Sequence, residues 1–378
     1  MKVVYITPGY TPSVHRKGLY LAQNGLTVRQ VTCQQQYQRQ AERPQAAHHH
    51  EIYAVPMFKP GDPHKGLFVA GLSWLRDFQP DLIALERDPD TLMALQAAFM
   101  RRLWAPRAKL VYHSWQNVAR PLKAHVRLLL AQTLRAADCI LYANQEGAQI
   151  LRSWGYAGNL VYQIWMGVDT TIFQPQSDTA LRHKLELDGK FVIGYVGRLA
   201  AEKGIGDLLQ ALSHLPGRAH CLLLGQGEMQ SKLMQQAQEL GIARRVHFVG
   251  NIPHTELATY LSMMDVMVLP SHTTTVWKEQ FGRVLIEAMA CGVPVIGSDS
   301  GAIPEVIGNA GLVFAEGNVE MLVDCLHQFI NSPALRDQLS ANGLRRVESE
   351  FAQGVVSRQA AACYKQIVQP GRPEQKAV

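Results

Sequence analysis

The stretch from Pro270 to Pro294, PSHTTTVWKEQFGRVLIEAMACGVP, constrains the fold of this chain more than any other. It opens at the end of an apolar, strand-like run, DVMVLPS, and contains VLIEAMA, a run of good helix formers closed by Gly292 and Pro294. The helix therefore starts near Gly282 or Arg283. Strand, polar loop and helix in that order put the helix N-terminus at the carboxyl edge of a sheet, where open α/β folds bind ligands. Two carboxylates, Glu279 and Glu287, stand with seven residues between them. Glu279 falls in the loop at the helix mouth, and Glu287 about one and a half turns inside, at roughly 3.6 residues per turn. The amides of Phe281, Gly282 and Arg283 at the helix start are expected to form a positive end that suits an anion such as a phosphate. Most glutamate pairs of this spacing are solvated surface charges. Glu287, however, lies inside LIEAMAC, where an unpaired carboxylate is costly to bury.

A length of 378 residues fits two domains of about 190 residues each. Hydrophobic content of 47% supplies two cores and excludes a disordered chain. Six scattered cysteines with no C-x-x-C pair predict free thiols in a reducing compartment. The opening MKVVYITPGY has too short an apolar run for a signal peptide, and no run is long enough to cross a bilayer, so the expected location is cytoplasmic. Charge is unevenly divided. Residues 1–185 carry 21 Lys and Arg against 12 Asp and Glu, and the remainder 16 against 19. A basic first half suggests an anionic partner surface, membrane or nucleic acid.

Along the first half, strand, loop, helix and strand alternate as in a parallel β-α-β series. KVVYIT leads into PGYTPSVHRKG, a helix is expected over Leu19–Asn24, and TVRQVTC follows. No G-x-G-x-x-G occurs in that first loop, so a dinucleotide fingerprint is absent. Gln34–His50 reads as an exposed connection, with His48, His49 and His50 a solvated run rather than metal ligands. Leu67–Phe78 is expected to be a helix and DLIALE a strand. Asp88 and Asp90 flank Pro89 in a D-x-D that could hold a metal, but the helix run that follows favours one of them as its N-cap. KLVYH ends at His113, with Trp115, Gln116 and Asn117 beside it. RPLKAHVRLLLAQTLRAAD carries Arg120, Lys123, Arg127 and Arg135 among leucines and alanines, and is open to two readings, a packed surface helix or a membrane-surface helix.

The α/β alternation restarts at FVIGYVG after a proline-bearing linker near residues 167–185, which marks the domain boundary. Gly197 allows a tight turn, Arg198 extends from it, and Lys203 stands at the helix entry. Both cations could reach a diphosphate, Arg198 as a planar fork and Lys203 as a point charge.

These motifs resemble the nucleotide-sugar domain of a retaining glycosyltransferase of family 4, in the GT-B superfamily. The residues that carry the resemblance are GRLAAEKG at 197–204, LGQGE at 224–228, EQFGRVLIE at 279–287, AMACGVPVI at 288–296 and GAIPEVI at 301–307. MGVDTTIFQP at 166–175 is similar to the family's inter-domain linker, whereas the first half matches only in outline. The resemblance implies an α/β chain of two facing Rossmann-like domains with parallel sheets and an interdomain cleft. Its boundaries would be 1–170 for the acceptor side, 171–350 for the donor side and 351–378 for a C-terminal helix returning to the first domain, then a tail. It further implies that Arg198 and Lys203 neutralise the leaving diphosphate and that Glu279 faces the donor sugar. Gly197, Phe281, Gly282, Arg283, Val284 and Glu287 would hold the donor, with Glu287 at the ribose. His113 is the nearest match to a first-domain histidine near the donor sugar, with Trp115, Gln116 and Asn117 competing for that place. Many members carry a double glycine in the first loop, where this chain has only Gly9.

The expected donor is a UDP-, GDP- or ADP-sugar and the expected acceptor a glycan, glycolipid or small molecule, with a possible membrane contact through the basic first half. No metal, cofactor or nucleic acid is expected. Three other functions stand as alternatives: a nucleotide-sugar epimerase or hydrolase, a non-catalytic binding module, and a nucleic-acid-binding protein, the last lacking any basic motif interleaved with aromatics.

Overall fold

A computed structural model of the chain describes residues 1–9, 12–37, 48–69, 75–164, 166–177 and 179–369. The described residues of Met1–Trp165 and Gln353–Val378 form one compact unit, and those of Met166–Ala352 a second.

The first unit runs β1 (Lys2–Thr7), α1 (Pro12–Gln23), β2 (Thr27–Cys33), α2 (Gln34–Tyr37), β3 (His50–Val55), β4 (Met57–Phe58), β5 (Leu67–Phe68), α3 (Leu75–Phe78), β6 (Leu82–Leu85), α4 (Leu92–Trp104), β7 (Lys109–Ser114), α5 (Ala124–Ala136), β8 (Cys139–Tyr142), α6 (Gln145–Ser153) and β9 (Asn159–Tyr162). Seven strands pair in parallel in the order β3-β2-β1-β6-β7-β8-β9. Strand residues alternate between two cores, as the period of two requires. Val4, Ile6, Ile83, Leu85, Leu110 and Tyr112 pack on one face, and Val3, Tyr5, Leu82, Ala84 and Val111 on the other.

The second unit runs α7 (Thr179–Lys184), β10 (Phe191–Val196), α8 (Ile205–Ser213), β11 (Ala219–Leu224), α9 (Gln230–Glu239), β12 (Val246–Gly250), α10 (Leu257–Ser262), β13 (Val266–Leu269), α11 (Arg283–Ala290), β14 (Val295–Ser298), α12 (Ile303–Ile307), β15 (Gly311–Phe314), α13 (Val319–Asn331) and α14 (Pro333–Arg346). Its six parallel strands follow the order β12-β11-β10-β13-β14-β15. The order reverses between β10 and β13, the switch point at which sheets of this kind open a crevice. A last helix, α15 (Gln353–Val368), belongs to the first unit, where Val356, Ala360, Ala361 and Tyr364 close the second of its two cores.

Several local expectations need correction. No single helix spans Leu67–Phe78. Leu67 and Phe68 instead pair antiparallel with Met57 and Phe58, because Gln96 satisfies both the Phe68 amide and its carbonyl and holds that backbone extended. Residues 70–74 lie outside the described residues, as do 38–47 and the tail from Pro370. The first helix begins at Pro12, not Leu19, with proline at the opening position it suits. His50 is not solvated; it is fully buried at the start of β3, 3.0 Å from Gln30 Oε1. The cap of α4 is Thr91, whose hydroxyl accepts from the Ala94 amide, and neither aspartate fills that place.

Both aspartates are structural. Asp88 accepts from the Ser114 hydroxyl at 2.6 Å and the Trp115 amide at 3.0 Å, tying the end of β6 to the end of β7. Asp90 is buried and pairs with Arg120. All six cysteines are free thiols.

His113, near the end of β7, is 1% exposed, and Tyr364 of α15 hydrogen-bonds its Nε2 at 2.8 Å. The ring sits in the apolar layer between sheet and helix, on the side where Tyr5 also lies, so burial drives its pKa down from 6.5 to about 3 against the opposing field of Glu86. The neutral ring is thus part of the folded state, and the unfolded chain binds one more proton between pH 6.5 and about 3. Stability of this unit is expected to be fully present above pH 6.5 and to fall as pH drops towards 3. Chemical denaturation across that range should show a shallower slope for His113→Gln than for the wild type. Tyr364→Phe, which strands the buried Nε2, should cost about 1–3 kcal/mol in the same measurement.

Candidate functional site

The candidate site lies at the carboxyl ends of β10, β11, β12 and β13 in the second unit. It is assembled by close backbone approach. β10 runs into Gly197 (φ 153°), whose amide donates to Leu224 O, and Leu199 N donates to Gln226 O, so the loops after β10 and β11 are stitched together. A Cβ on Gly225 would stand 2.0 Å from Gly197 O, and one on Gly227 would stand 2.2 Å from Leu199 O. A side chain at either position would push the loops apart.

From Gly197 the chain passes through Arg198 to a short 3₁₀ turn, Ala201–Lys203, which ends at Gly204 (φ 64°). Gly204 lies against the loop after β13, where an added Cβ would be 1.8 Å from Pro270 O. His272 Nε2 bonds Asp207 Oδ2 at 2.6 Å and the His272 amide donates to Glu202 O, so the same two segments are pinned twice more.

This apposition brings Lys203 to Glu279. The ammonium is 2.7 Å from Glu279 Oε2, which also accepts from Ser271 Oγ at 3.1 Å. Trp277 closes the other side, with Lys203 Nζ 4.3 Å from its ring centroid. The Trp277 backbone is set by Thr274, whose hydroxyl accepts from the amides of Val276 and Trp277. Gly301 backs Glu279 directly: its Cβ would be 2.1 Å from Glu279 O, and the neighbouring Ala302 amide donates to that carbonyl at 3.0 Å.

Arg198 extends further out and pairs with Glu202. Beneath these charges the buried Tyr195 hydroxyl donates to Arg198 O at 2.8 Å. Its pKa is pushed up, by burial first and then by Glu279, with Arg198 opposing, so Tyr195 feels both charges at once.

The α11 end of the site matches the helix expected from sequence. Gly282 (φ 74°) precedes the helix and Phe281 is buried edge-on against Phe351. Glu287 is 5% exposed and is paired, not stranded: Arg283 Nε stands 2.8 Å from Oε1. Arg283 Nη2 donates to His254 Nε2 at 3.0 Å, and that ring nitrogen is 3.3 Å from Glu287. Beside this cluster, Gly197, Arg198, Gly225, Gln226, Asn251 and Ile252 border a cavity of about 280 Å³.

Thus the second unit brings Arg198, Lys203, Glu279 and Glu287 to one end of one sheet, with Gly197, Phe281, Gly282, Arg283 and Val284 around them. His113 belongs to the other unit and is enclosed there by Tyr364. Trp277, His254, Ser271 and Asn251 were missed in the sequence. Each sits in a loop just past a strand, and position at a carboxyl edge is the signal that could have found them.

A fold of two α/β units with parallel sheets, one bearing a cation-rich pocket at its switch point, is that of the GT-B superfamily. The family model "Glycosyl transferases group 1" matches residues 177–346, and "Glycosyltransferase Family 4" matches residues 9–172. The chain belongs to glycosyltransferase family 4. Among curated relatives, glycogen synthase of Mycobacterium tuberculosis is 34% identical over 45% of this chain and 41% of its own. The lipopolysaccharide core mannosyltransferase LpsB of Rhizobium meliloti is 32% identical over 53% of this chain and 60% of its own. The chain thus spans about half the length of the curated relatives it matches. Among solved structures, sucrose-phosphate synthase from Thermosynechococcus elongatus superposes with a TM-score of 0.73 at 23% identity, covering 97% of this chain and 99% of its own. Anabaena HepE in complex with UDP gives 0.75 at 19% identity, covering 97% and 100%. At these identities the structures establish the fold.

Gly204→Ala should force the Lys203 turn away from Pro270 and lower the stability of the second unit by about 2 kcal/mol or more, through positive φ and overlap together. Denaturant titration followed by Trp277 fluorescence would measure both the loss and the displacement.

Proposed function

We propose that the chain is a retaining, metal-independent hexosyltransferase that moves a sugar from a nucleotide-sugar donor to an acceptor hydroxyl in cell-surface glycan or glycolipid assembly. The observation that carries this reading is the Lys203–Glu279 pair at the sheet's switch point, with Arg198 and the α11 N-terminus beside it. The names of the relatives support it: glycogen synthase, lipopolysaccharide and phosphatidylinositol mannoside mannosyltransferases, and a structural neighbour solved with UDP. The lipid-linked glycans in two of these names and the basic first half support an acceptor carried on a membrane, which we place at the cytoplasmic face.

In glycosyl transfer the anomeric C–O bond breaks, leaving positive charge on the sugar and negative charge on the diphosphate. Arg198, Lys203 and the amides of Phe281, Gly282 and Arg283 supply fixed positive charge for that leaving group, where one such donor contributes about 3 kcal/mol. Lys203 exchanges its contact with Glu279 for the diphosphate, and Glu279 turns to the donor sugar's hydroxyls. Glu287, held by Arg283, accepts from the ribose through its remaining oxygen. The base lies in the cavity bordered by Gly225, Asn251 and Ile252. Retention follows if the acceptor oxygen attacks on the face the diphosphate leaves. The leaving oxygen keeps the bonding electron pair and takes the acceptor proton.

The test is a calorimetric panel of nucleoside diphosphates and UDP-, GDP- and ADP-sugars, followed by a product assay with and without acceptor. Tight binding with acceptor-dependent transfer is expected; sugar release or epimerisation alone would mean another activity. Arg198→Ala and Lys203→Ala should each lower kcat about 100-fold while the protein stays folded. Full activity in both would remove the leaving-group role. Glu287→Gln should weaken nucleoside diphosphate binding in the same calorimeter, and unchanged affinity would refute the ribose contact.

A further inference from the structure

Between Asp90 and Asp138 the chain has 47 residues and no carboxylate, but eight cations. Three of these are used within the unit: Arg101 and Lys109 pair with Asp138, each at 2.9 Å, and Arg120 pairs with Asp90. The other five, Arg102, Arg107, Lys123, Arg127 and Arg135, are exposed, and no carboxylate pairs with them among the described residues. All lie on, or at the end of, the neighbouring helices α4 and α5.

The same two helices expose large apolar side chains. Phe99 (60%) and Leu103 (54%) stand four residues apart on one stripe of α4, with Arg102 beside them, and Leu128 (67%) stands next to Arg127 on α5. One exposed leucine is ordinary. An aromatic and two leucines interleaved with unpaired cations on adjacent helices are not, because each helix already buries its other face: Met93, Ala94 and Ala97 from α4, and Leu130, Thr133 and Leu134 from α5.

We propose that the outer faces of α4 and α5 are a bilayer-docking surface for membranes rich in anionic phospholipid, with Phe99, Leu103 and Leu128 entering the headgroup boundary and the five cations meeting lipid phosphates. A lipid surface suits the observed mixture, since interfacial helices combine apolar insertion with Lys and Arg at the headgroups. A nucleic acid would leave the leucines without a partner, because its backbone is read by charge and its bases by stacking or hydrogen bonds. This surface gives residues to the membrane-borne acceptor proposed above. It is tested without donor sugar, so its failure leaves glycosyl transfer standing and a failed transfer assay leaves the surface standing.

The experiment is co-sedimentation of the full chain with vesicles of phosphatidylcholine alone or mixed with phosphatidylglycerol. Binding is expected only to the mixed vesicles and is expected to weaken as ionic strength rises from about 0.05 to 0.5 M. Each cation near the surface is worth about fivefold in partitioning, so the triple variant Arg102→Gln/Arg127→Gln/Arg135→Gln should bind about a hundredfold more weakly. Phe99→Ser/Leu103→Ser/Leu128→Ser keeps the charge and should lose binding tenfold or more. Both variants change exposed side chains only, and thermal unfolding confirms that they fold. Equal binding to neutral and anionic vesicles, wild-type binding by either variant, or retention on single- or double-stranded nucleic acid without vesicle binding would each overturn the proposal.

Discussion

The second unit depends on how closely backbone can approach backbone at the carboxyl end of its sheet. At four points a glycine faces a carbonyl at a distance no Cβ tolerates: Gly204 on Pro270, Gly225 on Gly197, Gly227 on Leu199 and Gly301 on Glu279. These contacts fix the separation of the loops after β10, β11, β13 and β14, and so fix where Lys203 and Glu279 meet. Polar pins then hold what the glycines permit, notably His272 to Asp207 and Ser271 to Glu279. A lysine and a glutamate on loops 76 residues apart in sequence reach 2.7 Å because the backbone beneath them has no slack.

That geometry explains which parts could be read from the residues. GRLAAEKG, EQFGRVLIE and GAIPEVI declare themselves because the close approaches admit only glycine and the helix run of α11 is unmistakable. The α11 start at Arg283 falls where its sequence put it. Glu287 was legible as a carboxylate needing a partner, and Arg283 lies one turn away, at the spacing where helix side chains meet; that His254, from the loop after β12, orients that arginine was not legible. Trp277 carried no signal of its own; its place over Lys203 follows from the Thr274 turn, a local detail that pattern alone does not reveal.

In the first unit the alternation of strand and helix was legible and the side-chain environments were not. His113 sits near the end of a strand, where a ligand contact is reasonable, yet α15 supplies Tyr364 from 251 residues away and seals it. Asp88 and Asp90 look alike in sequence but part in space, one binding the loop after β7 and the other an arginine. His50 looked solvated because its neighbours are polar, but the strand β3 turns it inward against Gln30. Long-range partners decided each case, and a window of local sequence does not contain them.

The return of α15 to the first unit reverses the order in which the two bodies can be finished. Met166–Ala352 is continuous and holds all its strands, so it can close its core as soon as it leaves the ribosome. The earlier-made body must meanwhile wait with Val3, Tyr5, Leu21 and Leu26 uncovered until Val356 and Tyr364 are translated. For as long as Met166–Ala352 is being made, the first body stays open, and it is over that body that a chaperone would have its longest hold.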